Sequence, residues 1–171
     1  MAGNKYVALI AGRLQEVFGI QSSAGAGDAG KIPALDAAGK IDQSMMPTGV
    51  GPDTTSLVAS ESISAGALVN VFDSGGGTMK VRNADATTSG KEADGFILSA
   101  VTTGQTALVY HEGTITGLSS LTGGSRYYLS ATPGAVTATA PSTSGNVVQY
   151  VGRATSTTTI SYEATDGVIL A

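Results

Sequence analysis

Few residues in this chain have the types and spacing for catalysis. There is one histidine, His111, and no cysteine. A Ser-His-Asp triad needs its histidine beside both a nucleophile and an orienting acid. Around His111 the chain reads Thr106-Ala-Leu-Val-Tyr-His-Glu112. That alternation is a strand's, with Leu108 and Tyr110 on one face and Val109 and His111 on the other. The expected role is a strand-end histidine, paired or solvated, and not a catalytic one. Zinc sites with several histidines, thiolate metal sites and disulfides are excluded outright. Thirteen Asp and Glu residues leave room for a carboxylate site, but no D-x-[DN]-x-[DN]-G loop occurs. Hydrolysis of a glycan needs two acids separated by about 5–10 Å. Asp94 and Glu112 could meet in a sheet, though nothing in the spacing demands it. The expectation is a non-enzymatic protein with no catalytic, metal or cofactor residues.

One glycine motif invites a nucleotide reading. Gly25, Gly27 and Gly30 satisfy G-x-G-x-x-G, and Gly25 to Lys31 matches most of a phosphate loop. The hydroxyl that should follow the lysine is replaced by Ile32. Pro33 stands where a helix must begin and aim its amides at phosphate. Gln21-Ser-Ser precedes the loop in place of a buried strand. The stretch reads as a linker.

The elements around these residues follow from composition. Gly, Ala, Ser and Thr make up about half of the 171 residues, charged residues 13% and aromatics 5%. Helical bundles need far more Leu, Glu, Lys and Arg, whereas Thr, Val and Ile suit a pleated sheet and Gly suits tight turns. The expected fold is all-β: a β-sandwich or barrel of short antiparallel strands behind an extended N-terminal arm. Residues 1–20 form a hairpin or helix. Tyr6, Ile10, Leu14 and Val17/Phe18 lie at helical spacing, while two alternating runs flank Ala11-Gly12-Arg13; mid-helix Gly12 favours the hairpin. Residues 21–56 form the arm. It carries an imperfect repeat, Asp28 to Ile32 and Asp36 to Ile41, each a turn followed by Lys and one apolar anchor. Thr48 to Asp53 reads as extended and punctuated. Residues 57–171 form the β domain, with strands expected at 57–61, 68–73, 79–83, 95–100, 107–112, 127–130, 136–139, 147–154 and 158–163. A last strand at 168–170 ties the C-terminus into the sheet. Ser74-Gly-Gly-Gly77 and Thr132-Pro-Gly134 supply explicit turns.

Residues 30–47, GKIPALDAAGKIDQSMMP, resemble a spacer of tailed-bacteriophage structural proteins, G-K-I-P-A-L-D-x-x-G-K-I/L-D-x-S-x-x-P, shared by fibre and head-decoration proteins. GSRYYLSATPG at 124–134, GNVVQYVG at 145–152 and DGVIL at 166–170 are similar to the C-terminal half of small capsid decoration (cement or head-fibre) proteins. The region from Ala93 to Gly113 fits the same pattern. The resemblance implies a non-enzymatic virion protein on the capsid exterior, a homotrimer whose partners are the major capsid protein and itself. The chain lacks a fibrous repeat or heptad stalk, which moves weight from tail fibre to decoration protein. The alternative is a small tail-fibre or receptor-binding module touching host surface glycan. A glycan platform usually offers exposed aromatics beside carboxylates, but of Tyr127 and Tyr128 at most one would be exposed, since neighbours in a strand face opposite ways.

Charge agrees with the absence of nucleic-acid and membrane partners. Net charge is −4 and the pI is about 4.7, so no basic face is available for nucleic acid or anionic lipid. No apolar run approaches the ~20 residues of a membrane span. Attachment must then rest on buried apolar area. The candidates are Ile32, Leu35, Ile41, Met45 and Met46, large apolar residues in an otherwise small, polar arm. They either staple the arm to its own domain or seat it on another subunit or partner.

Overall fold

The computed structural model describes residues 5–46 and 51–171. They belong to two units, Met1–Gly51 and Pro52–Ala171.

In the first unit β1 (Lys5–Ile10) and β2 (Arg13–Phe18) form an antiparallel hairpin in full register, Lys5 opposite Phe18 and Ile10 opposite Arg13. The helical alternative loses at the turn. Ala11 and Gly12 both take positive φ, 50° and 77°, the geometry of the two-residue turns that match strand twist. The rest of the unit is irregular, with 3₁₀ turns at Ala26–Asp28 and Gln43–Met45. A single parallel bridge joins Ile20 to Pro33. The extended stretch expected over 48–53 lies partly outside the described residues.

The second unit is all-β, and no α-helix occurs among the described residues. β3 (Thr54–Ala59), β4 (Leu68–Asp73), β5 (Met79–Asn83), β6 (Gly95–Phe96) and β7 (Thr106–Tyr110) close a barrel in the order β3-β5-β4-β6-β7. Its pairs are antiparallel except β3 with β5, which is parallel. That pair departs from a purely antiparallel expectation. β8 (Gly113–Ile115), β9 (Arg126–Leu129), β10 (Val136–Thr137), β12 (Tyr150–Ala154) and β13 (Ile160–Tyr162) form a sheet in the order β10-β9-β12-β13-β8. β11 (Val147–Val148) pairs separately with β14 (Val168–Ile169).

Two apolar cores follow. One contains Ala59, Val69, Val81, Ala107 and Val109 from the barrel strands, with Ile63 and Ile97. Small side chains suffice because a five-stranded barrel has little interior. The other joins Leu68 and Phe96 to Ile115, Leu129, Val151, Ile160 and Tyr162 of the five-stranded sheet. Consecutive residues Leu68 and Val69 thus enter different cores, as strand alternation requires of a strand covered on both faces. Phe96 stacks on Tyr110 at 5.5 Å and meets the edge of Tyr162 at 5.3 Å.

Several strands differ from their sequence expectation. β3 begins at Thr54, ahead of residue 57, and the run at 95–100 keeps strand geometry only at Gly95–Phe96. β8 lies between the strands expected at 107–112 and 127–130, where no strand was expected. The single strand expected over 147–154 is two, divided at Gln149, and the register with β9 shifts between Tyr150 and Gly152. Gln149 is buried and spends its amide on other backbone: Oε1 accepts from Ala93 N at 2.7 Å, and Nε2 donates to the carbonyls of Ala93 and Thr165 at 2.9 and 3.0 Å. The expected turns are present. Gly75, Gly76 and Gly77 have positive φ, and Ala135 N donates to Thr132 O at 3.1 Å across Pro133 and Gly134.

Candidate functional site

His111 follows β7 directly, as its alternation implied. Nδ1 lies 2.9 Å from the main-chain carbonyl of Asp94 and Nε2 lies 3.0 Å from Thr55 Oγ1. A carbonyl only accepts, so Nδ1 carries the proton, and in the neutral ring Nε2 accepts from the threonine hydroxyl. The ring thereby ties β3 to the segment entering β6. Its orienting partner is a carbonyl, whereas the triad arrangement places a carboxylate there. The Asp94 carboxylate is committed elsewhere: Oδ2 accepts from Val71 N at 2.7 Å and Asn70 Nδ2 at 3.0 Å.

His111 and Asp94 border a polar cleft of about 510 Å³ whose wall also includes Glu92, Tyr162 and Asp166. Glu112 is exposed and is not part of that wall, so the cleft does not bring together the two acids weighed in the sequence. Burial pushes the Tyr162 phenol well above its usual range, and the nearby Asp94 carboxylate adds to the shift. The hydroxyl therefore stays protonated, and it points to Ala93 O at 3.4 Å. Among the described residues no group of three or more His, Asp and Glu is placed to hold a metal ion.

The tyrosines weighed for glycan contact are divided as strand geometry demands. Tyr127 is buried, its hydroxyl accepting from Thr122 N at 2.9 Å. Tyr128 is half-buried on the other face and packs edge-on against Tyr150 at 6.2 Å, with the Arg126 guanidinium 5.8 Å from the Tyr150 ring. The aromatic surface of this pair is partly spent on itself.

The glycine stretch is a turn closed by one aspartate. Asp28 Oδ2 accepts from Ala24 N at 2.6 Å, and Oδ1 meets Lys31 Nζ at 2.6 Å. The Lys31 ammonium, followed by the Ala24 amide, holds the Asp28 carboxyl below the usual carboxylate range. No strand–helix junction forms, so the phosphate-loop geometry is absent. Nor is the segment the unconstrained linker its composition suggested.

The same device recurs twice along the arm. Asp36 Oδ1 accepts from Ala38 N and Lys40 N at 2.8 and 2.9 Å, and Asp42 Oδ1 accepts from Ser44 N at 2.9 Å. Short aspartate side chains close local turns in this way. Each turn presents an apolar residue. Ile32, Leu35, Ile41 and Met46 are 49%, 53%, 52% and 41% exposed, and Met45 is half-buried. The turns do not gather these five into a closed core. Not one described residue of the first unit is buried.

The hairpin adds a surface that sequence reasoning did not single out. With Val7 opposite Glu16 and Leu9 opposite Leu14, one face carries Val7, Leu9, Leu14 and Phe18, exposed at 66–77%. The same face holds Lys5 and Glu16, ion-paired at 2.9 Å. Alternation in the two runs, once joined through a two-residue turn, was the signal available for it. In comparison with known proteins, no family model matches the chain and no curated protein matches it significantly.

Proposed function

We propose that the chain is a non-enzymatic virion structural protein that binds the outer capsid surface of a tailed bacteriophage and decorates or stabilises the head as a homotrimer. One observation carries the reading. The second unit has its own cores, whereas the first has no buried residue among those described and exposes nine large apolar side chains: Val7, Leu9, Ile10, Leu14, Phe18, Ile32, Leu35, Ile41 and Met46. A segment built this way gains stability by seating on something else. The spacer resemblance at 30–47 supports a virion setting, and the major capsid protein is the proposed partner. Aspartate-closed turns fit the role, because they fix the spacing of the anchors before any partner covers them.

In the alternative, a tail-fibre or receptor-binding module, Tyr128 and Tyr150 would serve as a glycan platform. Their edge-on packing leaves less free ring face than such a platform needs, which favours the capsid reading. Gold-labelled antibody against the protein, applied to intact virions of the encoding phage, tests the choice. Label over the head is expected. Label at the tail tip alone would transfer the role to the alternative, and unlabelled virions would end both.

A further inference from the structure

The outer face of the five-stranded sheet carries a charge pattern that folding does not explain. Alternation in β9 buries Tyr127 and Leu129 and leaves Arg126 and Tyr128 outward, and in β12 Arg153 is exposed between buried Gly152 and Ala154. The register sets Arg153 directly opposite Arg126 on one side and Ser161 on the other, with Thr114 opposite Ser161. One row across four strands thus presents two guanidiniums and two hydroxyls, all exposed, and no carboxylate. Like charges directly opposite each other weaken a sheet, and Ser161 and Thr114 show that small neutral side chains serve the same row. Elsewhere in the second unit Lys80, Arg82 and Lys91 are half-buried, so Arg126 and Arg153 are its exposed cations. The ion pairs among the described residues, Lys5–Glu16 and Lys31–Asp28, include neither arginine. Glu163, exposed just past the end of β13, pairs with neither.

We propose that this face docks an extended acidic segment of a partner protein, with Arg126 and Arg153 each taking a carboxylate and Tyr128 and Tyr150 packing beside the segment. Both guanidiniums are held in place. Arg153 Nη1 donates to Gly124 O at 2.7 Å, and the Arg126 guanidinium lies 5.8 Å from the centre of the Tyr150 ring. Gly124 precedes Arg126 along the chain, whereas Tyr150 lies opposite Tyr128, which follows it. The two tips are therefore drawn apart along β9, and each keeps N–H donors for an acid of its own. That suits two carboxylates spaced along a chain better than one small anion shared between them; alternate residues of an extended segment put acids on one face about 6.8 Å apart. Guanidiniums bind carboxylates through paired N–H donors, and Arg and Tyr are residue types in which protein interfaces concentrate binding energy. Nucleic acid would be repelled by the net charge of −4, and a glycan needs the ring faces that the two tyrosines spend on each other. The proposal is independent of oligomeric state and of a place on head or tail.

Fluorescence anisotropy of the full chain with a short labelled peptide of alternating Glu and Thr tests the proposal, the same peptide with Gln for Glu being the control. Saturable binding of the Glu peptide alone is expected, weakening as salt rises. Arg126→Gln and Arg153→Gln should each weaken it about threefold and together about tenfold, the scale of exposed ion pairs. Lys80→Gln, which removes the same charge from barrel strand β5, should leave binding unchanged. Thermal melting of Arg126→Gln should not fall, since the substitution removes a like charge from opposite Arg153. No binding of the Glu peptide, equal binding of the Gln peptide, an equal loss in Lys80→Gln, or wild-type affinity in the Arg126→Gln/Arg153→Gln variant would overturn the proposal. Arginine-dependent binding of polygalacturonate, with none of the Glu peptide, would give the face to an anionic glycan instead. A lowered melting temperature with unchanged peptide affinity in either single variant would reduce that arginine to a support of the sheet.

Discussion

Two single residues control how the second unit closes. Gly95 brings β6 against β7: a Cβ added there would stand 2.5 Å from Tyr110 O and 2.8 Å from Val109 Cγ1. One contact is backbone and the other a buried side chain, so neither yields cheaply. Gly95→Ala is expected to lower unfolding stability by about 1–3 kcal/mol, the usual range for overpacking, read as the midpoint shift in denaturant. An unchanged midpoint would mean that the two strands separate freely. Gln149 acts through hydrogen bonds. In Gln149→Leu the Ala93 amide loses its acceptor inside the protein, and the Thr165 carbonyl loses its donor. The orphaned Ala93 amide is buried and costs about 1–3 kcal/mol, while the exposed Thr165 turns its carbonyl to water, so a loss of roughly 1–3 kcal/mol is expected. Gln149→Glu should be at least as damaging, since a carboxylate would face the two carbonyls that Nε2 now serves. His111 teaches the converse: the lone histidine draws attention as a catalyst, yet both ring nitrogens are engaged in holding the barrel wall.

At the scale of elements, the arm depends on carboxylates and the barrel on alternation. Asp28 has a depressed folded value, so its ionised form is what the turn stabilises. That contribution is present above the ordinary 3.8 and is lost as pH falls through the lower folded value. The Ala24 amide resonance, titrated from pH 7 to pH 2, should therefore hold steady until below 3.8. A transition at or above 3.8 would show that the carboxylate does not close the turn. Asp42 shifts in the same direction through the Ser44 hydroxyl and then its amide, so residues 42–46 should loosen in the same acid window. In the second unit the two-residue β6 survives because β4 and β7 flank it on both sides; an isolated two-residue strand would not form.

For the whole molecule the consequence is a division between a unit with cores and one whose described residues form none. Ile41→Asp combined with Met45→Asp is expected to lower virion occupancy while the second unit unfolds within about 0.5 kcal/mol of wild type, as surface changes outside its core do. Unchanged occupancy and mass with a lower melting temperature would mean that these anchors only staple the arm to its own chain.

By itself the sequence determined the all-β class, the strands at 68–73 and 79–83 and their glycine turns, and it favoured a hairpin over a helix at 5–18 without deciding between them. Each is written in a few neighbouring residues, through period-two alternation and positive-φ glycines. Tertiary structure alone decided the rest. Alternation states that Leu68 and Val69 face opposite ways, but not that both faces are covered; that required β8, β9, β12 and β13 from more than forty residues downstream. The break at Gln149 depended on the backbone of Ala93 and Thr165, and the clamp at His111 on Thr55 and Asp94, all distant in sequence. The arm's anchors were visible as large residues among small ones, yet their exposure depended on the three aspartate turns that keep them from collapsing together. Local pattern fixes which way a side chain points, and only the partner brought in from far along the chain fixes whether anything covers it.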